Sequence, residues 1–256
     1  MRGTPQQQPD EERREEEQAA ARASSGNNNG GTVAALDGLT LDVPYGAVTA
    51  LLGRNGAGKT TTLRTIMGLW RGSAGTVRLN GEDITQVATP DIARRNIAYV
   101  PENMGIFADL TVRENLLLAA RRAASAAQMD SARLDWIFGM FPAMKTFWNH
   151  PAGKLSGGQK QMLAVSRVIV EPRDLLIVDE PSKGLAPAII DNMIEAFAQL
   201  KRSGVTLLLV EQNLFFAQRL GDQVAVMDDG RVVHTSSMQA LSKDTALQQS
   251  LLGLSL

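Results

Sequence analysis

The 256-residue sequence contains no cysteine, which excludes a disulfide scaffold, a thiol nucleophile, an iron–sulfur cluster and Cys-ligated zinc. Its two histidines, His150 and His234, are far apart and argue against a histidine-rich metal site. No run approaches the roughly 18 apolar residues of a membrane-spanning helix. The longest candidates, such as Val205 to Val210, are strand-sized. Excess charge of one sign is missing too: 26 Lys and Arg face 27 Asp and Glu, a net charge of -1. This argues against an evenly basic nucleic-acid binder steered by its overall charge and leaves only a local basic groove open; no nucleic-acid partner is expected. The first residues, Met-Arg-Gly followed by Gln-rich and Glu-rich sequence, lack the apolar stretch of a secretory signal, so a cytoplasmic location is expected.

What is present is an ordinary globular composition, 44% apolar and 21% charged. Residues 1–31 stand apart, with Gln6 to Gln8, a charged run from Asp10 to Glu17, and an Asn- and Gly-rich end at Ser24 to Gly31. They read as a disordered polar tail, either solvated or serving as a partner-binding arm. Residues 32–256 alternate strand-like and helix-like patterns, the signature of an α/β domain on a mainly parallel sheet flanked by helices. Ala47–Leu52, Ile97–Val100, Leu175–Val178, Val205–Val210 and Val224–Met227 read as strands, and Val77–Leu79 with Asn80-Gly81 as a strand and tight turn. One amphipathic helix carries Leu63, Ile66, Met67 and Trp70, and another Ile190, Met193, Ile194 and Phe197. From Val112 to Met144 the pattern is helical only, with Ala120 closing one helical stripe and Phe141 the next. This predicts a helical subdomain over about residues 103–158, inserted in the core. Met238–Leu256 reads as one short, frayed helix.

The segment Gly53-Arg54-Asn55-Gly56-Ala57-Gly58-Lys59-Thr60 satisfies the phosphate-loop pattern and lies between a predicted strand and helix, as that pattern requires. Its glycines let successive amide N–H groups turn inward around phosphate oxygens, above the positive end of the following helix. Lys59 brings a mobile charge to the outer phosphates, Thr60 offers a hydroxyl to Mg2+, and Thr61 is placed to touch the first phosphate. The expected counterpart is an apolar strand ending in carboxylates, supplied by Leu175 to Glu180. Alone, Asp179-Glu180 would read as a turn. Beside a phosphate loop, Asp179 reads as a Mg2+ ligand and Glu180 as the group that polarises the attacking water.

A third segment, Leu155-Ser156-Gly157-Gly158-Gln159, opens a helix carrying Met162, Leu163 and Ile169. Alone it is an N-cap with flexible glycines. Together with the other two motifs it resembles the ATP-binding cassette (ABC) ATPases over roughly Thr32 to Leu254. The resemblance implies a P-loop NTPase of RecA-like fold, with an antiparallel β part and an inserted helical subdomain, that binds and hydrolyses ATP with Mg2+. It also implies head-to-tail pairing with a second ATPase subunit, identical or sibling, so that Ser156, Gly157, Gly158 and Gln159 act on the partner's nucleotide.

Several positions depart from the general cassette pattern. Tyr99-Val100-Pro101 is followed by Glu102 where most members have Gln, and Val210-Glu211 by Gln212 where a histidine senses the terminal phosphate. Pro181-Ser182-Lys183-Gly184-Leu185-Ala186-Pro187 lacks the usual aspartate. Together these features resemble one branch, the ATPases of branched-chain amino-acid importers. In that light Glu102 is a further Mg2+ ligand, and Gln212 is a catalytic residue that donates to the terminal phosphate but cannot become cationic. Slower or less pH-sensitive turnover than in a histidine-bearing relative is expected. The resemblance further implies a peripheral position on the inner face of the membrane, docked on permease subunits fed by an external substrate-binding protein. Residues Asn103 to Asp109, with Met104, Ile106 and Phe107, are either that docking surface or subdomain core. Importers of urea, amides or aromatic acids, lipid or lipopolysaccharide exporters, and non-transport cassettes are the alternatives. Near Val33 no aromatic ring is found to stack on adenine, and no clear first strand of the family appears.

Overall fold

The computed structural model describes residues 34–121, 123 and 125–253. The polar tail and Val33 lie outside the described residues. Among the described residues eight strands form two sheets: β1 (Val48–Gly53), β2 (Arg78–Leu79), β3 (Glu82–Asp83), β4 (Ile97–Val100), β5 (Leu175–Asp179), β6 (Thr206–Glu211), β7 (Gln223–Asp228) and β8 (Arg231–Ser237). The main sheet runs β4-β5-β6-β1-β7-β8, while β2 and β3 form a separate hairpin. All main-sheet neighbours are parallel except β7 and β8. Both faces are covered, so the central strands are rich in apolar residues, and every residue of β1 and β6 is buried, Thr49, Thr206 and Glu211 included.

Register places the chemistry at one edge. Leu52 of β1 lies opposite Glu211 of β6, and Asp179 of β5 opposite Val210. The phosphate loop, the Asp179-Glu180 pair and Gln212 therefore leave the sheet at neighbouring carboxyl ends of parallel strands, the usual place for ligands in such sheets.

The helices are α1 (Lys59–Ile66), α2 (Thr89–Arg94), α3 (Val112–Ala119), α4 (Ser131–Met140), α5 (Pro142–Thr146), α6 (Gly157–Ile169), α7 (Pro187–Arg202), α8 (Leu214–Leu220), α9 (Met238–Lys243) and α10 (Thr245–Leu252). Helices α3 to α5 and the start of α6 occupy the stretch between β4 and β5. Their apolar side chains, including Leu116, Ile137 and Phe141, join Leu163 of α6 and Val100 and Val178 of the sheet in one cluster. The helical insert is thus welded to the sheet through α6.

Several sequence expectations are corrected. Helix α1 stops at Ile66 because Gly68 has φ +67, and a Cβ there would meet Val87 O at 3.0 Å and Ile92 Cδ1 at 2.9 Å. Trp70 therefore lies beyond the helix, with the Arg64 guanidinium 4.7 Å from its ring centre. Ala120 and Phe141 are C-caps, not helix interior. The last stretch forms two helices, not one, because Asp244 caps the end of α9 and accepts from Leu247 N to start α10. Strand β8 escaped the sequence reading, although Asp229-Gly230 is a two-residue hairpin turn with both φ positive. Among the described residues no strand precedes β1; instead Leu36, Leu39, Leu41 and Val43 pack irregularly against a second core cluster.

Candidate active site

The phosphate loop is shaped by close packing. A Cβ on Gly53 would lie 2.5 Å from Met227 O, so only glycine lets β1 pass β7 there. Gly56 and Gly58 adopt φ +84 and +99. Gly58 is the N-cap of α1 and supplies no side-chain cap, which leaves the first-turn N–H groups available to an anion. Ala57 is buried, Arg54 and Asn55 are exposed, and Thr61 is half-buried. Lys59 is 5% exposed. Its Nζ donates to Gly53 O at 2.8 Å and Arg54 O at 3.1 Å, and lies 3.5 Å from Glu180 Oε1.

Two carboxylates of opposite situation face the loop. Asp179 is buried and accepts from Thr60 Oγ1 at 3.0 Å and Tyr99 OH at 3.4 Å on Oδ2. Burial pushes its pKa up, opposed by the Thr60 hydrogen bond, while Glu180 and Glu102 add to the rise and Lys59 opposes it. Glu180 sits in the left-handed region at φ +48, a conformation that costs a non-glycine residue about 1–3 kcal/mol. Its N–H donates to Val210 O at 2.9 Å. Gln212 Nε2 donates to Glu180 Oε1 at 2.5 Å and to Asn55 Oδ1 at 2.6 Å. Lys183 Nζ is 3.5 Å from Glu180 Oε2 and bonds Glu102 as well, a contact that raises the lysine's pKa. Lys59, Thr60, Asp179, Glu180 and Gln212 therefore form one cluster, with Glu102 joined to it through Lys183.

Ser156, Gly157, Gly158 and Gln159 do not take part in that cluster. Ser156 is the N-cap of α6 in a capping box, its Oγ accepting from Gln159 N at 3.3 Å while Gln159 Oε1 accepts from Ser156 N at 2.9 Å. The two glycines differ. A Cβ on Gly158 would meet Ile189 Cγ2 at 2.8 Å, whereas one on Gly157 would meet nothing within 4 Å.

Comparison with known proteins gives the same answer as the geometry. Residues 36–183 match the ABC transporter family. The chain belongs to the ABC transporter family. The high-affinity branched-chain amino acid transport ATP-binding protein BraG of Pseudomonas aeruginosa is 37% identical over 86% of this chain and 94% of its own length. The probable branched-chain amino acid transport ATP-binding protein LivF of Archaeoglobus fulgidus is 34% identical over 83% of this chain and 90% of its own. The Nod factor export ATP-binding protein I of Burkholderia orbicola is 36% identical over 80% of this chain and 67% of its own. The solved structure of an ATP-binding subunit of an ABC transporter superposes with TM-score 0.71 at 30% identity, over 89% of this chain and 92% of its own. The protein is the ATP-binding and ATP-hydrolysing subunit of an ABC transporter, and such cassettes work as dimers with membrane permease partners. Among the described residues no helix is long and apolar enough to cross a membrane.

The cassette's donor set suits a hard cation. Asp179 Oδ1 is buried without a hydrogen-bond partner, beside the Thr60 hydroxyl. Among the described residues no cluster of three acidic or imidazole side chains exists. Mg2+ does not need one, because it completes its octahedral shell with waters and phosphate oxygens.

Two buried polar residues close to the cluster or to the loop after Glu102 are not singled out by the sequence. Glu211, 1% exposed, accepts from Ser182 N at 2.9 Å on Oε1, and from Gln212 N at 3.2 Å and Asn213 N at 3.3 Å on Oε2. Burial raises its pKa, and the Ser182 hydrogen bond opposes the rise. An acid that directly continues the apolar run Leu207–Val210 was the available signal. Asn115 is fully buried and binds Phe107 N and Phe107 O, both at 2.9 Å. It fixes the loop after Glu102, where Met104 and Ile106 pack on the core while Phe107 stays 48% exposed. Trp148 packs edge-on against Phe138, and the exposed His150 lies against Phe147.

Proposed function

We propose that this cassette drives uptake of branched-chain or related amino acids, hydrolysing Mg-ATP as one of a head-to-tail pair on the inner face of the membrane. The reading is carried by BraG, whose name states that transport and which is matched over 94% of its length. Glu102, the Glu-Pro-Ser-x-Gly-Leu-Ala-Pro run ending at Pro187 and Val210-Glu211-Gln212-Asn213 support it. Its partners are a second ATPase subunit, identical or sibling, and permease subunits supplied by an external binding protein. The helical subdomain over about residues 103–158 serves as the part that faces the permeases.

In the proposed chemistry Glu180 orients water for in-line attack on the terminal phosphoryl group, while Lys59 and the Gly53–Thr61 loop stabilise the developing charge. Gln212 Nε2, whose two N–H donors here go to Glu180 and Asn55, exchanges one of those bonds for the phosphate when nucleotide binds. Thr60 and Asp179 would hold Mg2+, with Glu102 as a further ligand, and the bound ion would supply Lewis-acid neutralisation of phosphate charge. Ser156 to Gln159 close on the partner's nucleotide. Deleting the gene should abolish uptake of labelled leucine, with rescue by the wild-type chain and none by Glu180→Gln. Intact leucine uptake with lost urea, amide or aromatic-acid uptake would move the cassette to a neighbouring importer class. Loss of glycolipid or lipopolysaccharide export would move it to the exporters, whose Nod factor member is 36% identical.

A further inference from the structure

Two short turns must keep their relative position for this site to work: the turn after β5, which carries Glu180, and the turn after β6, which carries Gln212. The Glu180 turn meets the end of β6 through a backbone bond from Glu180 N to Val210 O at 2.9 Å, and the two turns' side chains meet through Gln212 Nε2 on Glu180 Oε1. Beneath both lies the Glu211 carboxylate, with one oxygen on each turn: Oε1 holds Ser182 N, and Oε2 holds Gln212 N and Asn213 N. The hydrogen bonds of the Glu211 side chain go to these two turns and not to the phosphate loop, and the side chain is sealed from solvent. Burying a carboxylate is costly unless its oxygens are hydrogen-bonded, and here backbone N–H groups of two different turns supply those bonds.

We propose that Glu211 is a positioning residue that clamps the Glu180 turn to the Gln212 turn, fixing the distance between the water-activating carboxylate and the phosphate-facing amide. The clamp needs a carboxylate and not an amide. A carboxylate presents acceptors on both oxygens, whereas glutamine has one acceptor oxygen and an NH2 that would confront an N–H donor. Glu211→Gln therefore keeps the size of the side chain and must release one turn.

This inference rests on the reading of Glu180 and Gln212 as catalytic, and the test separates the two. In the full-length chain, Glu211→Gln should lower kcat for ATP about tenfold while KM stays within about twofold, since nucleotide binding at the loop is untouched. Because it acts through Gln212, the double variant E211Q/Q212A should be hardly slower than the slower single variant. Wild-type kcat in E211Q, or losses that multiply in the double variant, would overturn the clamp. Unchanged turnover in Gln212→Ala and Glu180→Gln alone would instead overturn the catalytic reading beneath it. Should E211Q not fold, amide hydrogen exchange on the wild-type chain decides. The Ser182, Gln212 and Asn213 amides should be protected together, and exchange at free-peptide rates would end the proposal.

Discussion

The phosphate-facing cluster and the Ser156–Gln159 segment carry equally specific sequence motifs, yet the chain treats them in opposite ways. Around the phosphate loop nearly every functional group has an internal partner: Lys59 on loop carbonyls, Thr60 on Asp179, Gln212 on Glu180 and Asn55. The Ser156 segment satisfies only itself through its capping box, and Gly157 faces open space. Gly158 is explained by the close approach of Ile189, but nothing among the described residues explains Gly157. The first region is a cluster that one copy assembles; under the proposed function, the second is a surface for the partner cassette's nucleotide.

The sharpest way to break that contrast is at the chemical centre. Lys59→Ala and Glu180→Gln should each reduce phosphate release by about 100-fold or more. Glu180→Gln should keep or strengthen ATP-dependent pairing in light scattering, and a lone copy with full turnover would undo the distinction. A smaller effect separates the two glycines. Gly158→Val should overpack against Ile189 by about 1–3 kcal/mol and lower the melting temperature. Gly157→Val should melt like wild type yet lose most ATPase activity; equal thermal losses in both would mean that Gly157 also serves the fold.

The smallest effect concerns Asp179. Its raised pKa means that the native state binds this proton more tightly than the unfolded chain does. The resulting stability is present in full below the unfolded pKa of about 3.9 and is lost as pH rises through the folded value. At neutral pH the buried charge is a burden, so Asp179→Asn in EDTA should melt a few degrees higher than wild type. The gap should shrink as the pH is lowered, and a gap independent of pH would assign the gain to something other than the carboxylate.

Much of this was legible beforehand because the signals were local. Five strands of the main sheet have continuous apolar runs, and the phosphate loop and Asp179-Glu180 are contiguous motifs whose glycines and carboxylates have few other uses in that context. Trp70 was misplaced because helical spacing continued past Ile66 while Gly68 had already turned the chain under Val87 and Ile92. Strand β8 was missed because its alternating half-exposed residues, including Val233 at 51%, do not resemble the buried strands used as the template.

By itself the sequence determined which residues are candidates to handle phosphate and the order in which they occur, since backbone freedom at glycine and the charge of Lys59 and Glu180 are properties of residue types. Only the tertiary structure decided that Gln212 reaches Glu180, that Lys183 bridges Glu102 to it, and that Glu211 anchors both turns from below. Those pairs are set by the parallel register of β5, β6 and β1, in which residues from distant parts of the chain leave the sheet side by side. No local pattern encodes that adjacency, because it exists only once the buried strands have packed.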